Sequence, residues 1–230
     1  DSWEAGMIDI RVDVSGFAVL KATLDGYGRQ IAFATSKALN ATGKKVADAM
    51  PDEIEKAIDK PTPFTKRGVR VLAYANKSRL QTTVGFMAAQ AKYMLYQIEG
   101  GTRNPGPAGL KLPSAINLDN YGNIPRGVIG KLIAVARKEK KLAKVTSRRV
   151  KISNKLELFY GDPTDHNGKI YPRGIYKIAN GALIPLVVFP QKPAKYRVRF
   201  DFVGKAKSVV IREWPIQFDA ALEEAIRTAR

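Results

Sequence analysis

Tyr93-Met94-Leu95-Tyr96-Gln97-Ile98-Glu99-Gly100-Gly101-Thr102-Arg103 is the stretch from which the rest of the chain is read. Leu95 lies three and four residues before Ile98 and Glu99, and Tyr96 lies three from both Tyr93 and Glu99, so much of the segment can share one helical face. Gly100-Gly101 predicts where that helix stops, because glycine takes the left-handed conformation that helix ends often need. Pro105, Gly106, Pro107 and Gly109 then predict a loop.

Upstream, apolar residues recur at Phe17, Leu20, Leu24, Tyr27, Ile31, Ala34, Ala38, Ala41 or Thr42, Val46 and Met50. Their alternating steps of three and four predict an amphipathic helix from Gly16 to Met50. Unbroken, it would run roughly 50 Å at about 1.5 Å per residue. Gly26, Gly28 and Gly43 each weaken it by about 1 kcal/mol relative to alanine, and a kink is expected near Gly26–Gly28. Such a helix either projects toward another subunit or is two helices folded on one core. Pro51-Asp-Glu-Ile-Glu-Lys-Ala-Ile-Asp-Lys predicts a short second helix, with proline at its first position and acids in its first turn. Pro61-Thr-Pro-Phe-Thr should end it. The β-rich runs 69–75 and 80–86, joined by Asn76-Lys-Ser-Arg, predict a hairpin.

Downstream, residues 104–128 read as one long loop, with four prolines and Asn117-Leu-Asp-Asn-Tyr-Gly-Asn at its middle. A loop of that length in a compact domain calls for a purpose. Lys131 to Lys155 then places ten lysines and arginines against the single acid Glu139, a net +9 in about a ninth of the chain. Leu132, Val135, Leu142 and Val145 still give this segment an apolar side, so it should be partly helical. Leu156-Glu-Leu-Phe-Tyr predicts a strand. Gly174–Ala179 and Ala182–Phe189 predict a hairpin across Asn180-Gly181, with Pro185 marking an edge or a bulge. Tyr196-Arg-Val-Arg-Phe-Asp-Phe alternates strictly and predicts a strand with Tyr196, Val198, Phe200 and Phe202 on one face. Pro215 to Arg230 predicts a terminal helix faced by Phe218, Leu222 and Ile226 and docked on the sheet.

With 230 residues, 45% hydrophobic and 26% charged, the chain can bury a sizeable core. It has no cysteine, which excludes disulfides, thiolate metal sites and cysteine nucleophiles. No run of about 18 apolar residues occurs, so no membrane partner is expected. Residues 1–6 lack the features of a signal peptide, and Met7-Ile-Asp-Ile-Arg reads like a natural start, which marks residues 1–6 as an added tag or leader. The net charge of +18 would draw DNA, RNA or an acidic protein surface, or simply keep the chain soluble. No enzymatic constellation is found. His166 is the one histidine and sits in a loop with Asp162 and Asp165, which lacks the alternating acids and final Glu of a calcium loop. Gly161 to Lys169 has the wrong spacing for a phosphate-binding loop. Catalytic residues, metal and cofactor are all expected to be none.

A Tyr/Glu helix closed by Glu99-Gly-Gly-Thr, after a long helix and a hairpin, resembles the tail-completion and head–tail joining proteins of long-tailed phages, the minor tail protein Z type. Tyr121-Gly-Asn-Ile-Pro-Arg-Gly, the Gly174–Tyr196 strands and the terminal helix are similar to the same family. The turn Pro63-Phe-Thr-Lys-Arg-Gly departs from the family's pattern. The resemblance implies one α+β domain over residues 7–230, with a long N-terminal helix, a mostly antiparallel sheet and a packed C-terminal helix. Residues 104–155 would form a loop-rich, basic and partly mobile insertion. It implies a structural virion protein, present in the host cytoplasm during assembly. Its copies would form a homo-oligomeric, hexameric ring at the head-proximal end of the tail, between tail tube and neck proteins. Arg137, Lys138, Lys140, Lys141, Lys144, Arg148, Arg149 and Lys151 are the expected contacts to packaged DNA or an acidic partner. Tyr93, Tyr96, Glu99, Thr102 and Arg103 are expected at a subunit interface. The rival expectation is a sequence-independent nucleic-acid-binding protein that acts alone.

Overall fold

The computed structural model describes residues 7–11, 28–143, 157–164, 170–179 and 182–228. The chain divides into two compact units, Asp1–Gly101 with Tyr196–Arg230, and Thr102–Lys195. It is α+β, with a long helix near its N-terminus and a C-terminal helix packed on antiparallel strands. The sequence pattern predicts one domain with residues 104–155 inserted. In the structure that segment belongs with the strands that follow it, and these form a sheet of their own.

The first unit opens with strand β1 (Met7–Arg11), helix α1 (Gly28–Ala57) and the short helix α2 (Pro63–Lys66). Strands β2 (Val69–Ala73) and β3 (Gln81–Phe86) form the expected hairpin. Strand β1 pairs on the other side of β3, so Ile8 and Ile10 stand opposite the buried Val84 and Thr82. The alternation Ile8-Asp9-Ile10 is the sequence signal that could have marked this strand.

In α1 the residues Ala34, Thr35, Ala38, Leu39, Thr42, Val46, Met50 and Ile54 are all buried, the predicted stripe of three and four. The predicted break at Pro51 is absent, because α1 runs through that proline to Ala57. Pro51 has no N–H to offer the preceding turn, at a cost of about 3 kcal/mol in a helix interior. Met50 and Ile54, both fully buried on either side of it, hold the helix together there. Residues 12–27, where the helix and kink were also expected, lie outside the described residues. Gly43 has a packing role: a Cβ there would stand 2.6 Å from Thr82 Cγ2 and 3.3 Å from Val84 Cγ2. The missing side chain lets the helix lie directly on β3.

Helix α3 (Ala88–Ile98) ends as predicted, with Gly100 at φ 72° and Gly101 at φ 102°. Gly100 also packs its backbone against the returning chain, where a Cβ would lie 3.0 Å from Tyr196 O. The predicted strand Tyr196–Phe202 is not formed. Its backbone instead folds under the end of α3, with Arg199 N and Phe200 N both donating to Gln97 O. Phe200 and Phe202 turn inward together and meet Phe86, with ring centroids 5.4–6.4 Å apart.

Two short strands, β4 (Gly101–Arg103) and β9 (Ala194–Tyr196), pair with each other. Between them run strand β5 (Leu112–Pro113), helix α4 (Val128–Ala143), β6 (Leu158–Gly161), β7 (Gly174–Ala179) and β8 (Ala182–Val188), all in the second unit. The sheet order is β5-β8-β7-β6, and each of its ladders is antiparallel. Pro185 sits beside the bulge between Ile175 and Tyr176, as its chemistry predicted. Helix α4 buries Ala136 and packs Ile129, Leu132 and Ile133 over Ile175, Val187 and Phe189.

Helix α5 (Phe202–Thr228) returns the chain to the first unit, starting thirteen residues before the expected Pro215, which lies inside it. Its buried stripe changes track near that proline. Phe202, Ala206 and Val209 close on the sheet core, whereas Ala221 and Ala225 pack on Ala34 and Ala38 of α1. Four alanines at matching spacing allow the two helices a close approach. Trp214 touches both clusters and stacks on Phe218 at 5.4 Å. The helix therefore docks on the sheet only by its first turns, and the expected face residue Ile226 is 54% exposed.

Candidate nucleic-acid interface

The second unit carries eighteen lysines and arginines against five acids, so it holds +13 of the molecule's +18 and leaves +5 to the first. Among the described residues, five ion pairs lie in the first unit: Lys37–Glu224, Lys56–Glu53, Lys66–Glu55, Lys205–Glu53 and Arg212–Glu213. Glu53, Glu55, Glu213 and Glu224 thus bind cations of their own unit, and most of the charge in excess is in the second.

Of the expected DNA contacts, Arg137 and Lys138 are exposed on α4. Lys140 and Lys141 lie in its last turn, and Lys144, Arg148, Arg149 and Lys151 lie outside the described residues. Arg137 sits next to the buried Ala136, so the packing of α4 fixes where its side chain starts. Its guanidinium lies 5.7 Å from the centre of the Tyr160 ring. Arg173, just before β7, brings a second guanidinium to 5.5 Å from the same ring. Its carbonyl accepts from Phe189 N at 2.6 Å. Phe189 in turn sets its ring against Tyr160 at 6.2 Å, close to perpendicular. The set Arg137, Tyr160 and Arg173 is not visible in the sequence. Tyr160 and Arg173 become neighbours only through the β6–β7 register, which places Tyr160 opposite Ile175.

A cleft of about 650 Å³ opens where the loop before α4 meets its first turn, with Lys111 and Arg126 on its wall. The loop is organised by Asp119, whose carboxylate accepts from Tyr121 N and Asn123 N at 2.9 Å each. This gives the Tyr121-Gly-Asn-Ile-Pro segment a structural role: it delivers Ile124 to the core and Gly127 to the start of α4.

Two of the expected interface residues are engaged within their own unit. Tyr93 OH hydrogen-bonds the Thr65 hydroxyl at 2.9 Å, and Thr65 N donates to the cap Thr62 Oγ1 at 3.1 Å. Tyr96 packs on Tyr196 with centroids 5.3 Å apart. Glu99 is exposed at the end of α3, and Thr102 and Arg103 are exposed in β4. Among the described residues no three of His, Cys, Asp or Glu gather as metal ligands, and no helix is long and apolar enough to cross a membrane. Burial of Tyr176, with Asp162 near it, raises its hydroxyl above the usual tyrosine value; that hydroxyl donates to Pro172 O at 2.6 Å. Asp165 and His166 lie outside the described residues. Compared with known protein families, curated proteins and solved structures, the chain finds no match.

Proposed function

We propose that this protein is a structural joint of a long-tailed phage: copies form a ring of six at the head-proximal end of the tail, bridging tail tube and neck around the DNA path. The observation that carries the reading is the partition of charge, +13 on a small second unit and +5 on the unit that holds the two long helices. A subunit that must grip protein neighbours and tolerate packaged DNA needs both kinds of surface. The order of elements adds support, since a helix closed by Glu99-Gly100-Gly101 follows a long helix and a hairpin, and a terminal helix returns to the first unit. The decisive experiment is electron microscopy of a lysate in which this gene alone is disrupted. DNA-filled heads separate from tails are expected, and normal infectious particles would overturn the reading. Neutralising Arg148, Arg149 and Lys151 together should lower the yield of infectious particles; an unchanged yield would remove the role given to that charge.

The same partition favours a second reading, a nucleic-acid-binding protein that acts alone and without sequence preference. It requires tight duplex binding by the free chain, which the joining role does not.

A further inference from the structure

Two arginines of the second unit converge on one aromatic ring. The distances of 5.7 and 5.5 Å to the Tyr160 centre put the Arg137 and Arg173 Cζ atoms within about 11 Å of each other. Both side chains are exposed, and neither makes an ion pair with a carboxylate among the described residues. Like charges so close repel, and the ring's negative face offsets only part of that repulsion. Their positions are nevertheless built in from below. The backbone of Arg137 is placed by the buried Ala136 beside it, that of Arg173 by its carbonyl's bond to Phe189 N, and the Tyr160 ring packs near-perpendicular to Phe189. On the same strand face, Lys177 follows Ile175 and stands opposite Leu158, adding a third exposed cation.

We infer that Arg137 and Arg173, both held against Tyr160, form a binding site for the phosphodiester backbone of nucleic acid, each guanidinium taking one phosphate. Guanidinium forks match phosphate oxygens in pairs, and two held in place lose little freedom on binding. Double-stranded DNA carries one charge per about 1.7 Å of axis, roughly twice the density of even an all-acidic extended peptide at about 3.3 Å per residue. A unit at +13 engages that partner more fully than an acidic protein. The ring is occupied by the arginines, so bases are not stacked and no sequence is read. This inference rests on the part of the proposed function that brings the second unit against DNA.

The test is fluorescence anisotropy of a labelled random-sequence duplex with the full chain, between about 50 and 200 mM salt. The double variant R137Q/R173Q should bind about ten-fold more weakly at the low-salt end. Its log–log salt slope should be shallower by about 2, near 0.9 for each phosphate that is no longer neutralised. R137K/R173K should keep the slope but not the full affinity, since an ammonium cannot bind phosphate through a paired fork. K44Q/K45Q, which removes two exposed charges from α1 in the first unit, should stay within about two-fold of wild type. Wild-type affinity and slope in R137Q/R173Q overturn this site alone, as does an equal loss in K44Q/K45Q. Absence of salt-dependent duplex binding by the wild type overturns the site and the solitary nucleic-acid binder with it, whereas the joining role, which does not require tight binding by the free chain, stands or falls by the microscopy of the disrupted lysate.

Discussion

Asn40 does more for the first unit than its place on a helix suggests. Its side-chain amide donates to Ala75 O at 2.9 Å and accepts from Ala75 N at 2.7 Å, pairing both backbone groups where β2 has ended. Thr82 Oγ1 donates to the same amide oxygen at 2.8 Å. Asn40→Ala would leave the Ala75 carbonyl and the Thr82 O–H unmatched, with Ala75 N keeping only its 3.3 Å bond to Thr82 Oγ1, and should lower stability by about 1–3 kcal/mol in urea denaturation. A loss below about 0.5 kcal/mol would mean that these groups are satisfied otherwise. Gly43 makes an opposite kind of prediction. In an exposed helix Gly→Ala gains about 1 kcal/mol. Here the new methyl meets Thr82 Cγ2, so Gly43→Ala should destabilise by about 1–2 kcal/mol. Thr82→Ser deletes that methyl and keeps the hydroxyl, so the double variant should recover most of the loss; equal stability of Gly43→Ala with and without Thr82→Ser would refute the clash. Sequence marks Gly43 as a weak point because helix propensity is local, whereas the β3 surface that requires a glycine is supplied by Thr82 and Val84, far along the chain.

Between elements, Glu53 ties α1 to α5. It accepts from Lys56 Nζ at 2.6 Å and pairs with Lys205 Nζ at 2.9 Å. The bond from Lys56, then that from Lys205, holds its carboxyl below the ordinary value of 4.5, against a smaller opposing effect of burial. The folded value is the lower one, so the unfolded chain takes up its proton first on acidification. The contribution is therefore full above the ordinary value and fades as pH falls through the folded one. Glu53→Gln should be less stable than wild type at neutral pH, and the gap should close on acidification in urea melts run across the pH series. A gap independent of pH would assign Glu53 a packing role instead. At this scale the hairpins, the α3 stop and the Pro185 bulge were legible, since each depends on residues close in sequence. The extents of both long helices were not, and each departs from expectation at a proline for one shared reason. A local rule counts the full penalty of Pro51 or Pro215, and cannot count what Ile54 or Trp214 gains from partners far along the chain.

For the whole molecule, the division into units was not legible, because which sheet a strand joins is decided by partners rather than by its own pattern. The candidate site shares this history. The cationic run was plain in the sequence, but Arg173 joined Arg137 only through strand register. The first unit's two chain segments come together where Gly100 meets Tyr196. Replacing Thr102–Lys195 with a short glycine–serine linker should therefore leave a folded first unit with a cooperative thermal transition. A broad, non-cooperative melt would show that the second unit is needed for the first to fold.

That junction also sets an order in time. The strands β1 to β3 and α1 leave the ribosome early, but Phe200, Phe202, Ala206 and Ala221 are made last. At about 5–20 residues per second, roughly 6–25 s separate Gly101 from Thr228. Over that interval Leu39, Val46, Ile54 and Val84 have no cover from α5, while the continuous second unit can finish folding. A nascent chain stalled before Phe200 should consequently be the species that holdase chaperones capture, and the released full-length protein should not.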